Sequence, residues 1–178
     1  MLINIMQITK ELEKKVKRDY FFIKGQIDID CNYFIEKIKK GVEEKTNMNY
    51  RTNINGKMTS WDFFNNDINF LKHIINFNRY LDKNYNLPKY ILKSSWGFIT
   101  LPGEKTYFHA HQEAIYSGVI YLNDCDQPLL FKEIEQQIDP KAGSFGIFSG
   151  WLTHGNYANI TNNTKFGISF NMYSNNPW

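Results

Sequence analysis

Cysteine is nearly absent from this sequence: Cys31 and Cys125 are the only two in 178 residues, and their spacing forms no motif. A disulfide scaffold or a zinc ribbon is thereby excluded, and a reduced, cytoplasmic setting is expected. Long apolar runs are missing as well, and no stretch approaches the roughly 20 residues that a membrane span needs. Met1-Leu-Ile-Asn-Ile-Met meets Lys10, Glu11 and Glu13 too early for a signal peptide. Charge of one sign is lacking too. Lys and Arg number 21 against 18 Asp and Glu, spread along the chain, so nothing marks a nucleic-acid footprint. The basic run Lys14 to Arg18 reads as a solvated helix face. What is abundant is aromatic residues, 16% of the chain, which suits a β-rich core.

The length fits one domain, 1–178, with residues 1–87 as mainly helical support and 88–178 as the core. Ile8, Leu12 and Val16 fall four apart, which predicts a short helix, and Tyr20 to Ile29 reads as a strand. Asp30 is placed to cap a helix from Cys31 to about Glu44, burying Phe34, Ile35 and Ile38. Residues 47–57 are rich in Asn and Thr, with Asn55-Gly56 a turn signal. A long helix is expected from Thr59 or Ser60 through Leu81, with His73 on its surface or packed beneath it. From Pro88 onward the apolar period falls from 3.6 to 2, and short strands follow one another across Gly, Pro, Asn and Asp turns. The pattern is that of a sandwich or double-sheet barrel with helices outside one sheet, an α+β fold.

Three of the four histidines stand in this second part. If residues 107–113 are extended, Tyr107, His109, His111 and Glu113 share one face. His154 follows another strand and the pair Trp151-Leu152. Two near ligands and one distant His suit three facial positions of an octahedral metal, the signature of non-haem Fe(II) oxygenases. Strand geometry leaves the set open: His109, His111 and His154; His111, Glu113 and His154; or His109 with Glu113 and His154. In the last strand Lys165, Gly167, Ser169, Asn171 and Tyr173 alternate with Phe166, Ile168, Phe170 and Met172. The apolar set must be buried, so the polar set faces a cavity, and a Lys165 ammonium there suits the distal carboxylate of a dicarboxylate.

The stretches His109-Ala-His111, Ser117-Gly-Val-Ile-Tyr-Leu122, Trp151-Leu-Thr-His154, Lys165 and Ile168-Ser-Phe-Asn171 resemble the Fe(II)/2-oxoglutarate-dependent oxygenases, most of all a small bacterial and phage branch. The resemblance covers roughly residues 95–173. It implies a double-stranded β-helix (a cupin-like jelly roll) with iron at one open end, and 2-oxoglutarate as co-substrate. It implies His109, His111 and His154 as metal ligands, Glu113 as the alternative, and Lys165 as the group on the distal carboxylate. The implied reaction is hydroxylation of a peptidyl side chain or small molecule, with release of succinate and CO2. Two departures stand out: H-x-H replaces the widespread H-x-D/E, and Lys165 replaces the commoner Arg, as in prolyl-4-hydroxylase-like relatives. Ser169, Asn171 and Tyr107 are the candidate co-substrate contacts, and Trp96, Tyr107, Tyr116 and Trp151 the candidate walls. Residues 102–106 are a candidate lid, and Asp124, Cys125 and Asp126 a structural turn. Two other readings fit the same residues: a 2-oxoglutarate-independent metal oxygenase, or a non-catalytic jelly roll with a structural metal.

Overall fold

A computed structural model describes residues 6–15, 19–44 and 53–175. In chain order the elements are β1 (Met6–Lys15), β2 (Asp19–Ile27), α1 (Cys31–Glu43), β3 (Ile54–Asn55), β4 (Lys57–Met58) and α2 (Ile68–Asn84). They continue with β5 (Tyr90–Thr100), β6 (Lys105–Thr106), β7 (Ala114–Tyr121), β8 (Leu129–Phe131), β9 (Gln136–Ile138), β10 (Ser144–Ser149) and β11 (Lys165–Ser174).

Seven strands pair in the order β1-β2-β10-β7-β11-β5-β4, antiparallel throughout. Because side chains alternate across a pleated strand, this sheet presents two apolar faces. One face carries Ile23, Ile120, Ile147, Ile168 and Phe170, packed against Phe34 and Ile38 of α1 and Phe70, Ile74, Phe77 and Leu81 of α2. Full burial of such a side chain contributes roughly 1.5–3 kcal/mol. The other face carries Phe22, Trp96, Phe98, Val119, Tyr121 and Phe148, met by Leu129, Phe131, Ile138 and Leu152. Strands buried on both faces explain the near-continuous apolar runs of β7 and β10.

Opposite that second face lies a smaller layer. β8 pairs with β9 and β3 with β6. Between them, single bridges join Leu130 to Gly155 and His154 to His109. Two helices on one face of a mostly antiparallel structure agree with a jelly roll and with helices outside one sheet. Among the described residues no helix is long and apolar enough to cross a membrane.

The helices depart from expectation in informative ways. Asp30 caps α1 as its position implies, accepting from the Tyr33 N–H. α2 begins later than Thr59 or Ser60, because Asp67 accepts from the Asn69 and Phe70 N–H groups and residues 61–66 form turns. The helix expected near Ile8 and Leu12 is the strand β1 instead. Pairing with β2 overrides the helical spacing, and a register shift between Ile8 and Lys10 means that the apolar positions do not keep an even strand period either. With β1 to β4 contributing to the sheets, the first half is not simply helical support. Val16 to Arg18 and residues 47–52 lie outside the described residues. His73 is buried on α2, as a packing residue.

Candidate metal centre

The site is assembled where the small layer crosses the end of β10. After Ser149 the chain turns, with the Leu152 N–H donating to the Ser149 carbonyl at 3.0 Å. Gly150 is required there, since a Cβ would stand 2.3 Å from the Ala114 carbonyl oxygen. Its own carbonyl accepts the His111 N–H at 2.8 Å, which docks the segment before β7 onto this turn. Two residues on, His154 and His109 face each other and exchange both backbone bonds, at 3.0 and 2.8 Å. The side chains of Glu133 steady the approach by accepting from the Thr153 N–H and hydroxyl.

This geometry brings three imidazoles together. Ring centroids lie 4.9 Å apart for His109 and His111, 4.5 Å for His109 and His154, and 5.3 Å for His111 and His154. Their nitrogens fall within 4.8 Å of one another. His109 Nδ1 lies 2.7 Å from the Tyr107 carbonyl, and His154 Nδ1 lies 2.8 Å from the Leu152 carbonyl. A carbonyl only accepts, so both Nδ1 atoms carry the proton and both Nε2 lone pairs are left for a metal. Burial lowers the pKa of all three rings, to about 4 for His111, and His109 adds charge repulsion on His111 and His154. The rings are therefore neutral at pH 7, the form that binds a metal ion. Phe148 and Phe131 screen His154 from water, at ring separations of 4.7 and 5.7 Å. Tautomer, charge state and grouping all fit a metal ion held by three imidazoles.

Glu113 is not brought to this group. The Ala114 N–H bonds back to the His111 carbonyl at 2.9 Å, so residues 111–114 form a turn and Glu113 is exposed. Alternation holds only along an extended strand, and here the chain is extended no further than the bridge at His109. Tyr107 is likewise turned outward, 51% exposed, and serves through its carbonyl rather than its ring.

Lys165, Ser169 and Asn171 line the same cavity as the histidines. Lys165 is only 1% exposed, and its Nζ donates to the Gln127 carbonyl at 3.3 Å. Among the described residues no carboxylate pairs with it. Burial lowers its pKa to about 8. The Asn171 amide is used within the wall, accepting from Ser117 Oγ at 2.7 Å and donating to Ser94 Oγ at 3.3 Å. Trp96 lines the cavity; Tyr116 packs under the helices, and Trp151 reaches Tyr20 and the Asp19 carbonyl instead. Residues 102–106 are stitched to 156–159 by bonds such as Gly103 N–H to Asn159 O, 2.7 Å, and Asn156 N–H to Thr106 O, 3.0 Å. Because β6 also pairs with β3, a lid there is held on both sides.

Sequence reasoning passed over Gln127 and Thr100. Gln127 donates from its amide to the Glu104 and Tyr157 carbonyls, tying both segments beside Lys165. Thr100 stands directly across from Lys165 in the β5–β11 register and is fully buried. Only the register reveals Thr100, and no local pattern reveals Gln127. Among the described residues the buried side-chain polar atoms without a partner are Trp96 Nε1, Thr100 Oγ1 and Gln127 Oε1. One of them lines the cavity and the other two belong to the immediate neighbours of Lys165.

No protein-family model matches the sequence, and no curated protein sequence matches it. Solved structures do match. A viral collagen prolyl hydroxylase from Paramecium bursaria Chlorella virus-1, solved as a 2-oxoglutarate complex, superposes with a TM-score of 0.65 at 15% identity, over 81% of this chain and 89% of that one. A prolyl-4-hydroxylase from Pseudomonas putida gives 0.64 at 14%, over 87% and 93%. This chain has their fold. HygX from Streptomyces hygroscopicus, with nickel and 2-oxoglutarate bound, gives 0.61 at 11%, over 86% and 83%. The likeness to Fe(II)/2-oxoglutarate oxygenases read from the motifs is thus also a likeness of architecture.

Proposed function

We propose that this protein is an Fe(II)- and 2-oxoglutarate-dependent oxygenase, folded as one double-stranded β-helix domain. The observation that carries the reading is one cavity shared by three neutral imidazoles and a buried ammonium that no carboxylate among the described residues neutralises. His109, His111 and His154 would hold the metal, and Lys165 would take the distal carboxylate of 2-oxoglutarate. Bound there, iron and the keto acid supply the oxidising chemistry, with release of succinate and CO2. The chain's own residues do the positioning. Tyr107 and Leu152 hold two imidazoles by their Nδ1 protons. The Gln127 carbonyl keeps the Lys165 ammonium in place by accepting from it. Phe131 and Phe148 keep water from the ring of His154. The three donors have no fourth His, Cys, Asp or Glu beside them among the described residues, which leaves room for exogenous ligands, unlike a closed structural zinc site. Hydroxylation of a small molecule or a peptidyl side chain is the expected reaction.

The all-imidazole donor set is the one feature that favours a 2-oxoglutarate-independent oxygenase on the same barrel. Lys165 weighs against it, because an ammonium buried without an anion is costly unless a ligand repays it. Anaerobic titration with Fe(II) and then 2-oxoglutarate is the test. A weak visible charge-transfer band, and succinate formed on admitting O2, are expected. A metal-loaded protein that shows neither sinks the proposal.

A further inference from the structure

We propose that Trp96 sets the specificity of the cavity: its indole N–H donates to an oxygen acceptor on the molecule that fills the space, and cationic molecules are refused. The inference uses the oxygenase reading only for the identity of one of the two ligands tested below. Trp96 is 4% exposed, lines the cavity, and its Nε1 has no partner. The ring is not free to swing the N–H toward water. It sits in the middle of β5, opposite Ser169, with Trp61 edge-on at 4.6 Å and 70°. A buried donor left without an acceptor is unfavourable, and a ligand oxygen relieves that penalty.

The surrounding chemistry narrows the ligand. No Asp or Glu lines the cavity among the described residues, whereas Lys165 does. Beyond the metal ion that the imidazoles would take, a cationic organic ligand meets no carboxylate side chain there and, while Lys165 is unpaired, one like charge in a space of low dielectric. Asn171, a lining amide, is already bonded to Ser117 and Ser94. The position of Trp96 leaves two sources for that oxygen. Ser169 is four residues along β11 from Lys165, roughly 13 Å of strand. The acceptor belongs either to a keto acid anchored at Lys165 or to the carbonyl of a second, uncharged substrate lying beside it.

Both sources are testable on the whole protein, labelled with ¹⁵N at the tryptophan indoles and loaded with Zn(II), which is diamagnetic. One arm adds 2-oxoglutarate; the other adds capped single-amino-acid amides, neutral, acidic and basic, with and without metal and 2-oxoglutarate. The Trp96 indole proton is expected to move downfield in one of the two arms, with the basic amides failing to bind. Trp96→Phe, which keeps an aromatic ring and loses the N–H, is expected to weaken that same ligand about threefold to tenfold. An indole resonance unmoved in both arms overturns the proposal, as does a basic amide that binds best. This readout is taken on the native tryptophan and so stands even if the variant folds poorly. Failure of 2-oxoglutarate to bind counts against the oxygenase reading, while the metal-free amide arm still decides the role of Trp96.

Discussion

A lysine ammonium buried to 1% exposure with a lone carbonyl acceptor is under electrostatic load, and that load has measurable consequences. Its pKa is lowered to about 8 by burial, against roughly 10.4 in an unfolded chain. Between those values the unfolded chain binds more protons, so the ligand-free protein is expected to gain stability as pH rises from about 8 to about 10.4. With Lys165 in its proposed role, the affinity for 2-oxoglutarate is expected to run the other way, falling as pH rises above about 8. Lys165→Met should flatten both profiles and raise the 2-oxoglutarate Kd by about tenfold or more, with Ni(II) affinity unchanged; calorimetry across pH checks this. At the imidazoles, His109→Ala, His111→Ala or His154→Ala should each lower Co(II) affinity by at least about 100-fold in a visible titration. Glu113→Ala should not alter it, because that carboxylate is exposed in a turn. Which histidines gather was legible in the sequence; that Glu113 leaves them was not, because a turn bond between Ala114 and His111 has no signature in residue type.

Elements are placed by a few decisive contacts. Asp67 shows why α2 starts where it does. Its carboxylate caps two N–H groups and also meets Lys37 and the Tyr33 hydroxyl, at 2.8 Å for the latter, so α1 and α2 are joined at that point. Burial works to raise the Asp67 pKa, but the bonds from Lys37, Phe70 and Tyr33 outweigh it and hold the carboxyl below its ordinary value. The stabilisation is complete above about pH 3.9 and is lost as pH falls through the lowered folded value. Asp67→Ala is expected to cost about 1–2 kcal/mol or more in urea unfolding, and Asp67→Asn less, since Asn still caps. Thr59, Ser60 and Asp67 are all good caps by residue type, which is why the earlier start looked plausible; the tertiary contacts with α1 choose among them. A second contact joins α1 to β5. A Cβ on Gly97 would lie 2.3 Å from Ile38 Cγ1. Gly97→Ala should therefore destabilise by about 1–3 kcal/mol and Ile38→Ala by about 2–5 kcal/mol. The double variant should lose less than the sum, because each change makes room for the other.

Across the whole molecule one sheet separates two interiors, and this division explains what could be read in advance. The alternation in β11 set Lys165, Ser169 and Asn171 toward a cavity and buried Ile168 and Phe170 on the other face; that the helices cover this face is shown by the structure. Order of strands was beyond reach, because β2 and β10 are far apart in the chain and their pairing rests on register alone. The same holds for β1, whose spacing of four suggested a helix and whose strand is fixed by pairing with β2. A ligand that satisfies Lys165 and the imidazoles binds only the folded chain, so Zn(II) with 2-oxoglutarate at 100 times Kd should add about 2.7 kcal/mol to stability. Differential scanning calorimetry measures it as a concentration-dependent rise in Tm. One last consequence belongs to the backbone pair of His109 and His154, which bond to each other irrespective of what their rings hold. Chelation is therefore expected to empty such a centre without unravelling it, so that the protein can be stripped and recharged with different ions, each meeting the same preset frame.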